Sequence, residues 1–349
     1  MKIGYSLLKL WIKCGLYLYY GKIQLTGTEN IPVEQPLLFL PNHQNALIDV
    51  LLIAVSCKRR PYFLTRSDVF RNPKLKHFFN YLQMIPVYRI RDGRDTVKQN
   101  EEIFEKCAQL LAKGKTIVIF PEANHNLKRR VRPLSNGFVR ILFMAQEKCP
   151  DLDVRLLPVG LNYKHATEFP DQVGILYGSS IPFRKIWVSG DLTASTHRTK
   201  KAVKGQLMEL TTHIEDLEEY DNMVSNLKGL RGIDYLKPTQ VNAVIANMKG
   251  GIGVAIHPKK EQKRRLSHFF RSIFQLLNLP VMIGWRVWIQ PKVWEPEFMS
   301  TFRFGFALFA MPVYYLFLIM GLAWAINLPT AFLLVASHFL FNWAYIKLA

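Results

Sequence analysis

Two long apolar segments near the C-terminus constrain the fold of this chain more than any other feature. They run from Phe304 to Ile326 and from Pro329 to Ile346, with Asn327 and Leu328 between them. About 20 apolar residues suffice to cross the hydrocarbon core of a bilayer, and a helix crosses it with its backbone groups bonded internally. A helix pair buried inside a globular protein fits this length less well. We therefore predict a transmembrane helical hairpin within residues 301–349.

Basic residues flank this hairpin and predominate in the whole chain. Arg303 precedes it and Lys347 follows the second segment closely, whereas the turn between the segments carries no charge. Since positive charges collect on the cytoplasmic side of a membrane, both ends of the hairpin are expected there.

The 46 Lys and Arg residues outnumber 26 Asp and Glu, giving a formal net charge of +20. That excess favours membrane phospholipids or phosphorylated ligands as partners, and no nucleic-acid partner is expected because no recognition module is present.

The first 22 residues predict a helix that lies on the membrane surface. Residues 4–20 are largely apolar and aromatic, but lysines interrupt every run long enough to span a bilayer. No small-residue cleavage site follows, so a cleaved signal peptide is not expected. Rings such as Trp11 and Tyr17 favour the headgroup region. The alternative is a helix packed on the protein core.

Residues 191–300 are predicted to form a mainly helical region. Its first half is polar and contains no motif that points to chemistry. Residues 269–288 are apolar and aromatic, but Arg271, Pro280 and Arg286 interrupt them. We expect this segment to be interfacial or re-entrant rather than spanning.

The remaining segment, residues 23–190, alternates strand and helix patterns. Short apolar or β-branched runs bounded by turn residues predict strands, and helical spacing follows several of them. The predicted strands are 22–27, 36–40, 61–65, 84–88, 116–120, 154–161 and 173–177. This order favours an α/β domain with a mixed, largely parallel sheet flanked by helices. Polar residues at successive strand ends would then line one crevice.

The strand at 36–40 ends in a polar junction that contains His43 and, six residues further on, Asp49. Two residues six apart do not share one face of a helix, so these side chains can meet only if His43 precedes the helix. A carboxylate bonded to one imidazole nitrogen leaves the other free to accept a proton from a hydroxyl. The alternative is a helix-capping histidine and a solvated aspartate.

A second polar group follows the strand at 116–120. Pro121 and Glu122 come directly after it, and a run of basic residues follows between Lys128 and Arg132. A carboxylate beside a basic rim at a strand end suits a substrate site. The alternative is an ordinary basic loop.

The two junctions together resemble the signatures of the glycerolipid acyltransferase superfamily, His-x4-Asp and Phe-Pro-Glu-Gly. Here the first motif has one more residue between His43 and Asp49, and the second reads Phe-Pro-Glu-Ala, with Ala123 in place of glycine. The chain is most similar to the fungal-type glycerol-3-phosphate and dihydroxyacetone-phosphate acyltransferases and their bacterial relatives. That resemblance covers roughly residues 30–185.

The resemblance implies a membrane enzyme of phospholipid synthesis that transfers a fatty acyl group to glycerol 3-phosphate or dihydroxyacetone phosphate. The acyl donor is expected to be acyl-CoA or acyl carrier protein, with no cofactor and no metal. His43 would act as general base oriented by Asp49, Arg89 would grip the acceptor phosphate with its planar fork, and Glu122 would position the glycerol hydroxyl. The expected substrate-binding residues also include Pro121, Asn45 and Arg91.

Several alternatives stay open at this stage. A 1-acylglycerol-3-phosphate (lysophosphatidate) acyltransferase would use the same residues on a lipid acceptor. A non-catalytic membrane lipid-binding protein on the same fold is an alternative of a different class.

The four widely spaced cysteines fit neither a disulfide framework nor a zinc site and indicate a reducing compartment. Because the basic ends of the hairpin are expected on the cytoplasmic side, we predict a catalytic domain on the cytoplasmic face of a bacterial inner membrane.

Overall fold

A computed structural model describes residues 3–71, 73–88, 94–250 and 264–348 of the chain. The strands are β1 (Lys22–Thr26), β2 (Leu37–Pro41), β3 (Tyr62–Arg66), β4 (Met84–Val87), β5 (Thr116–Val118), β6 (Arg155–Tyr163), β7 (Gln172–Tyr177) and β8 (Ile181–Pro182). The helices of the N-terminal part are α1 (Ile3–Tyr19), α2 (Ala46–Ser56), α3 (Pro73–Tyr81), α4 (Arg94–Ala112) and α5 (Gly137–Lys148). Those that follow are α6 (Leu192–Leu210), α7 (Tyr220–Gly229), α8 (Pro238–Lys249), α9 (Arg264–Leu277), α10 (Leu279–Gly284), α11 (Met299–Ala325) and α12 (Leu328–Leu348).

The strands form one mixed sheet in the order β1-β7-β6-β2-β5-β3-β4, and β8 pairs with β6. Strands β6, β2, β5, β3 and β4 run parallel, whereas β7 is antiparallel to β6 and β1 is parallel to β7. The predicted mixed, largely parallel sheet is confirmed, and all seven predicted strands are present. An eighth short strand, β8, was not among the predicted strands, and it forms because Ile181 and Pro182 pair with the start of β6.

The central strands are buried on both faces, as parallel strands between helix layers are. All five residues of β2 are buried, and successive side chains point to opposite faces. Leu38 and Leu40 pack in the core beneath α4, α5 and α6. Leu37 and Phe39 pack in the opposite core, beneath α1 and α2. A continuous apolar run was therefore the correct signal for a central strand.

Helix α6 belongs to the packing of this domain, although the predicted division of the chain places it beyond residue 190. Val203 and Leu207 are fully buried in the core that contains α4 and α5. Helices α7 and α8 form a separate small cluster around Leu227 and Val241. The helical region thus covers one face of the sheet before the chain turns towards the membrane segments.

The two predicted apolar C-terminal helices are confirmed as α11 and α12, with 27 and 21 residues. At 1.5 Å per residue they measure about 40 and about 32 Å, enough to cross a hydrocarbon core of about 30 Å. Before them, α9 and the helix that begins with α10 meet at an angle of 83° at Asn278. This bend accords with the predicted interfacial or re-entrant segment, whose entry into the membrane stays a prediction.

Helix α1 has one packed face and one apolar face that is exposed. Leu16 and Tyr19 are buried, while Ile3, Leu7 and Leu10 are each more than half exposed. An exposed apolar face suits a helix at the membrane surface. Its position on a bilayer stays a prediction.

A close approach of backbones between β6 and α6 gives a test of this packing. A methyl group at Gly160 would lie 2.0 Å from the Leu210 carbonyl oxygen, whereas a methyl group at Gly205 in α6 meets nothing within 4 Å. We expect Gly160→Ala to lower the free energy of unfolding by about 1–3 kcal/mol through overpacking. Gly205→Ala should raise it by about 0.5–1 kcal/mol because alanine favours the helix.

Thermal unfolding of the two variants in the same detergent measures this difference. Equal melting temperatures for both would contradict the close contact between β6 and the end of α6.

Candidate active site

His43 and Asp49 meet at the junction between β2 and α2. The helix begins at Ala46 with Asn45 as its N-cap residue, so His43 precedes the helix. Its Nδ1 lies 2.8 Å from Asp49 Oδ2. The predicted contact is therefore present, and the extra residue of His-x5-Asp is accommodated before the helix starts.

Asp49 is completely buried, and the surrounding groups satisfy its carboxylate. The backbone N–H groups of Gln44 and Asn45 donate to Oδ2 at 2.9 and 2.8 Å. The Tyr163 hydroxyl donates to Oδ1 at 2.5 Å. These bonds orient the carboxylate so that Oδ2 faces Nδ1 of His43 and accepts its N–H. The other imidazole nitrogen is then an acceptor.

Tyr163 was missed as a site residue by the sequence analysis. Burial, and then the Asp49 charge, hold the pKa of its phenol well above the ordinary value, so it stays a donor. The available signal was a phenol directly after a mainly apolar predicted strand, since a buried tyrosine hydroxyl needs a partner.

The loop after β5 covers the imidazole of His43. The ring stacks on Phe120 with 3.9 Å between centroids, and the His125 ring meets it edge-on at 5.6 Å. The Asn126 N–H donates to the His43 carbonyl at 3.0 Å. The His43 side chain keeps 14% of its surface exposed, so the imidazole is accessible to solvent rather than buried in the core.

Glu122 lies in the same loop, with only 2% of its side chain exposed. The backbone N–H of Arg132 donates to Oε1 at 3.0 Å and its guanidinium to Oε2 at 2.7 Å. Arg132 also bonds the side chain and the carbonyl of Asn124. The basic rim predicted beside Glu122 thus contains its ion-pair partner. Whether Glu122 contacts a substrate stays a prediction.

Ala123, at the position where the superfamily signature has glycine, adopts a backbone conformation that favours glycine. Its φ is +65°, in the left-handed region that residues with a side chain rarely adopt. A non-glycine residue there raises the free energy of the loop by about 1–2 kcal/mol. The preceding Pro121 is buried, and its carbonyl accepts a bond from the Ser135 N–H at 2.7 Å, which holds the loop closed.

Asn45, predicted to bind substrate, contacts the loop between β6 and β7. Its Nδ2 donates to the Ala166 carbonyl at 3.0 Å, while its buried Oδ1 has no hydrogen-bond partner within the described residues. Nearby, Asn42 bonds both backbone groups of Leu161. These two amides tie the His43 junction to β6 and the loop after it. A substrate contact of Asn45 stays a prediction.

Arg89 and Arg91, predicted to bind the acceptor, lie outside the described residues, and their roles stay predictions. The residue just before them is held in place. Asn100 of α4 accepts from the Tyr88 N–H at 2.9 Å and donates to the Tyr88 carbonyl at 2.7 Å. The chain therefore leaves β4 from a fixed position, at the carboxyl end of the parallel strands where His43 also lies.

The segment that leads into α11 reaches this site. Glu295 pairs with His125 Nε2 at 2.7 Å, and the Phe298 ring meets the His125 ring at 4.9 Å. Glu297 lies close enough that one atom from each of the three ionisable groups could share a cation. Glu295 is half exposed, so water can solvate its carboxylate. Its contact with His125 therefore accounts for this arrangement without a cation.

Comparisons with known proteins agree with this geometry. The sequence profile of the family described as Acyltransferase matches residues 22–162. The 1-acyl-sn-glycerol-3-phosphate acyltransferase BAT2, chloroplastic, of Brassica napus is 25% identical over 160 residues, which cover 46% of this chain and 44% of that protein. Glycerol-3-phosphate O-acyltransferase 1 of Saccharomyces cerevisiae is 27% identical over 96 residues, 28% of this chain and 13% of that protein.

Among solved structures, the 1-acyl-sn-glycerophosphate (LPA) acyltransferase PlsC from Thermotoga maritima matches with a TM-score of 0.43 and 18% identity. The match covers 60% of this chain and 81% of that one. The chain spans less than half the length of the two curated relatives named above.

The profile match spans β1 to β6 and therefore contains the paired His43 and Asp49 and the Phe-Pro-Glu loop. On this match and these relatives, residues 22–162 are similar to the glycerolipid acyltransferase superfamily.

Proposed function

We propose that this protein transfers a fatty acyl group from a thioester, on coenzyme A or acyl carrier protein, to a hydroxyl of glycerol 3-phosphate or dihydroxyacetone phosphate. The observation that carries the proposal is the pairing of His43 with the fully buried, multiply bonded Asp49. Such a carboxylate fixes the orientation of an imidazole without taking its proton.

The reaction needs no acyl-enzyme intermediate. The free nitrogen of His43 accepts the proton of the acceptor hydroxyl as the oxygen attacks the thioester carbonyl. The tetrahedral intermediate then collapses, the C–S bond breaks, and the proton passes to the leaving thiolate. The products are an ester and a free thiol, so atoms and charge balance.

The acceptor phosphate would be held by Arg89. A guanidinium matches phosphate geometry with two parallel hydrogen bonds, and this is the reason for assigning it the role. Glu122, with Arg132 holding both of its oxygens, would position the hydroxyl. Each ionised carboxylate oxygen can accept more than one bond, so this pairing leaves room for a substrate donor.

A second candidate acceptor is 1-acylglycerol 3-phosphate. The name of the Brassica napus relative favours it, whereas the yeast relative's name favours glycerol 3-phosphate. Both acceptors present a phosphate and a free hydroxyl, so the same His43 chemistry serves either.

We place the reaction on the cytoplasmic face of a bacterial inner membrane. Both ends of the α11–α12 hairpin contact the N-terminal part of the chain. Arg303 donates to the Thr167 carbonyl at 3.2 Å, and Lys347 Nζ donates to the Tyr17 carbonyl at 2.7 Å. These basic residues thus lie on the side of the catalytic domain, which supports a cytoplasmic position.

The first test is acyl transfer by the purified protein in detergent. Labelled acyl-CoA and acyl carrier protein would each be offered with glycerol 3-phosphate, dihydroxyacetone phosphate or 1-acylglycerol 3-phosphate. We expect product with the first or second acceptor and a kcat about 10²- to 10⁴-fold lower for His43→Ala, since that is the usual contribution of a positioned base.

His197→Ala, at an exposed position of α6, is the matched control and should keep full activity. Product from the third acceptor alone would assign the second acylation step. No product from any acceptor would favour a non-catalytic lipid-binding protein.

Tyr163→Phe tests whether the phenol that bonds Asp49 supports catalysis. Loss of a hydrogen bond to a charged group is worth about 1.5–3 kcal/mol, so we expect kcat to fall about 10- to 100-fold with little change in KM. Tyr177→Phe is the control, because its buried hydroxyl bonds Ser56 at 2.6 Å rather than Asp49. Equal activity losses in variants of equal melting temperature would indicate a merely structural role for Tyr163.

Arg89→Gln tests the assignment of the acceptor phosphate. We expect KM for the phosphorylated acceptor to rise about tenfold or more, the value of one charge-assisted hydrogen bond, while KM for the thioester donor stays unchanged. Arg231→Gln, at an exposed position after α7, serves as the control. An unchanged acceptor KM in Arg89→Gln would exclude this role.

A further inference from the structure

A cavity of about 890 Å³ lies between α1, the bent pair α9–α10, and the hairpin α11–α12. Its volume lies in the range of about 300–1,000 Å³ that holds one small ligand. Most of its wall is apolar or aromatic. Representative lining residues are Trp11, Phe274, Trp285, Phe304, Met311 and Phe339. The cavity belongs to the helices outside residues 22–162, the part that the family profile matches.

The depth of the cavity corresponds to one leaflet of a bilayer. Along α11 its lining residues run from Arg303 to Tyr315. At 1.5 Å per residue this distance is about 18 Å, compared with about 15 Å for half of the hydrocarbon core. An occupant aligned with α11 would therefore reach from the membrane surface to about the midplane.

The polar end of the cavity faces the α/β domain. Next to it, Ser300 Oγ donates to the Ala166 carbonyl at 2.7 Å, and Arg303 bonds Thr167. The opposite end near Tyr315 lies deeper in the hairpin. A lipid in the leaflet beside the domain has the same polarity, with its headgroup towards the protein domain and its chains towards the midplane.

Three arginines line the cavity: Arg271 from α9, Arg286 from the helical segment that continues α10, and Arg303 from α11. In the part of the chain that the structure describes, none of them has a carboxylate oxygen within 4.0 Å, and the acidic side chain in the wall is Glu168. Arg271 and Arg286 are exposed and Arg303 is half-buried, so the wall carries an excess of positive charge that an anion can reach. Phosphate suits the geometry of guanidinium groups best.

Polar groups in the deeper wall already have partners. Asn278 and Asn342 exchange two amide hydrogen bonds of 2.9 and 3.0 Å, and Asn342 also donates to the Tyr315 hydroxyl at 3.0 Å. The end of the cavity near Tyr315 therefore leaves no need for a polar group on the ligand. It suits an alkyl chain, whereas the arginine end suits an anion.

We infer that this cavity binds one anionic phospholipid of the leaflet beside the catalytic domain, with its phosphate among the three arginines and an acyl chain between the helices. The site is separate from His43 and goes beyond acyl transfer. It does not depend on that reaction, since it rests on the shape, depth and charge of the helical region alone.

The test is lipid binding by the full-length protein in detergent. Phosphatidylglycerol and phosphatidylcholine with identical chains would be titrated separately, with bound lipid counted by native mass spectrometry and the melting temperature followed in parallel. We expect one retained phosphatidylglycerol per chain and a saturable rise in melting temperature. Phosphatidylcholine should bind at least several-fold more weakly because its headgroup carries a compensating positive charge.

Two kinds of variant locate the site. Arg271→Gln combined with Arg286→Gln should weaken phosphatidylglycerol binding about tenfold or more, while Lys292→Gln, an exposed cation of the same segment, should leave it unchanged. Arg303 is kept because it also holds the loop at Thr167. Ala307→Trp should abolish binding by filling the cavity, and Ala325→Trp, exposed at the far end of α11, is its control.

Equal affinity for the two lipids would overturn the inference, because it would indicate an apolar surface without an anion site. Unchanged binding in the double arginine variant would overturn it as well, whether or not Ala307→Trp folds. Since the readout is binding rather than turnover, failure here leaves the proposed acyl transfer unaffected, and an inactive enzyme would leave the lipid site unaffected.

Discussion

A buried carboxylate, Asp49, is the interaction on which the site depends. It is fully inaccessible to solvent, and an isolated charge in that position would be strongly unfavourable. Its partners come from separate parts of the chain: His43 and two backbone N–H groups from the junction before α2, and Tyr163 from the end of β6. The folded chain has to bring these together, and once it does, the orientation of the imidazole is fixed.

The order of the strands explains why these groups are neighbours. Strand β2 lies between β6 and β5, with Phe39 in register with Leu157 on one side and Val118 on the other. Adjacent strands are about 4.8 Å apart. Residues that follow β2 and β5, and the last residue of β6, therefore meet at one edge of the sheet, although more than 100 residues separate His43 from Tyr163 along the chain. This is the crevice expected at the carboxyl ends of parallel strands.

The same edge also meets the helical region. Ala166, in the loop after β6, accepts hydrogen bonds from Asn45 beside the site and from Ser300 at the start of α11. On the other side of the His43 imidazole, Glu295 pairs with His125. The helices that are long enough to cross a bilayer are thus joined to the α/β domain at its active edge. The acyl transfer that we propose, from a thioester to an acceptor hydroxyl, would take place at this junction.

The sequence by itself determined the elements and their chemistry. The apolar run of β2 and the spacing of His43 and Asp49 are local patterns, and local patterns predict strands and possible contacts. The length and polarity of α11 and α12 likewise follow from composition. The Phe-Pro-Glu motif located Glu122, and the motif together with the first junction carried the resemblance to the superfamily.

Only the tertiary structure decided which distant groups complete the site. Tyr163 bonds Asp49, Arg132 pairs with Glu122, and Glu295 reaches His125 because strand order and the path of the chain into α11 place them there. Such pairings leave no periodic signal in a sequence, since the partners lie on different elements. The left-handed conformation of Ala123 and the cavity between α1, α9–α10 and the hairpin were hidden for the same reason: both arise from how separate segments pack, a property that no single segment encodes.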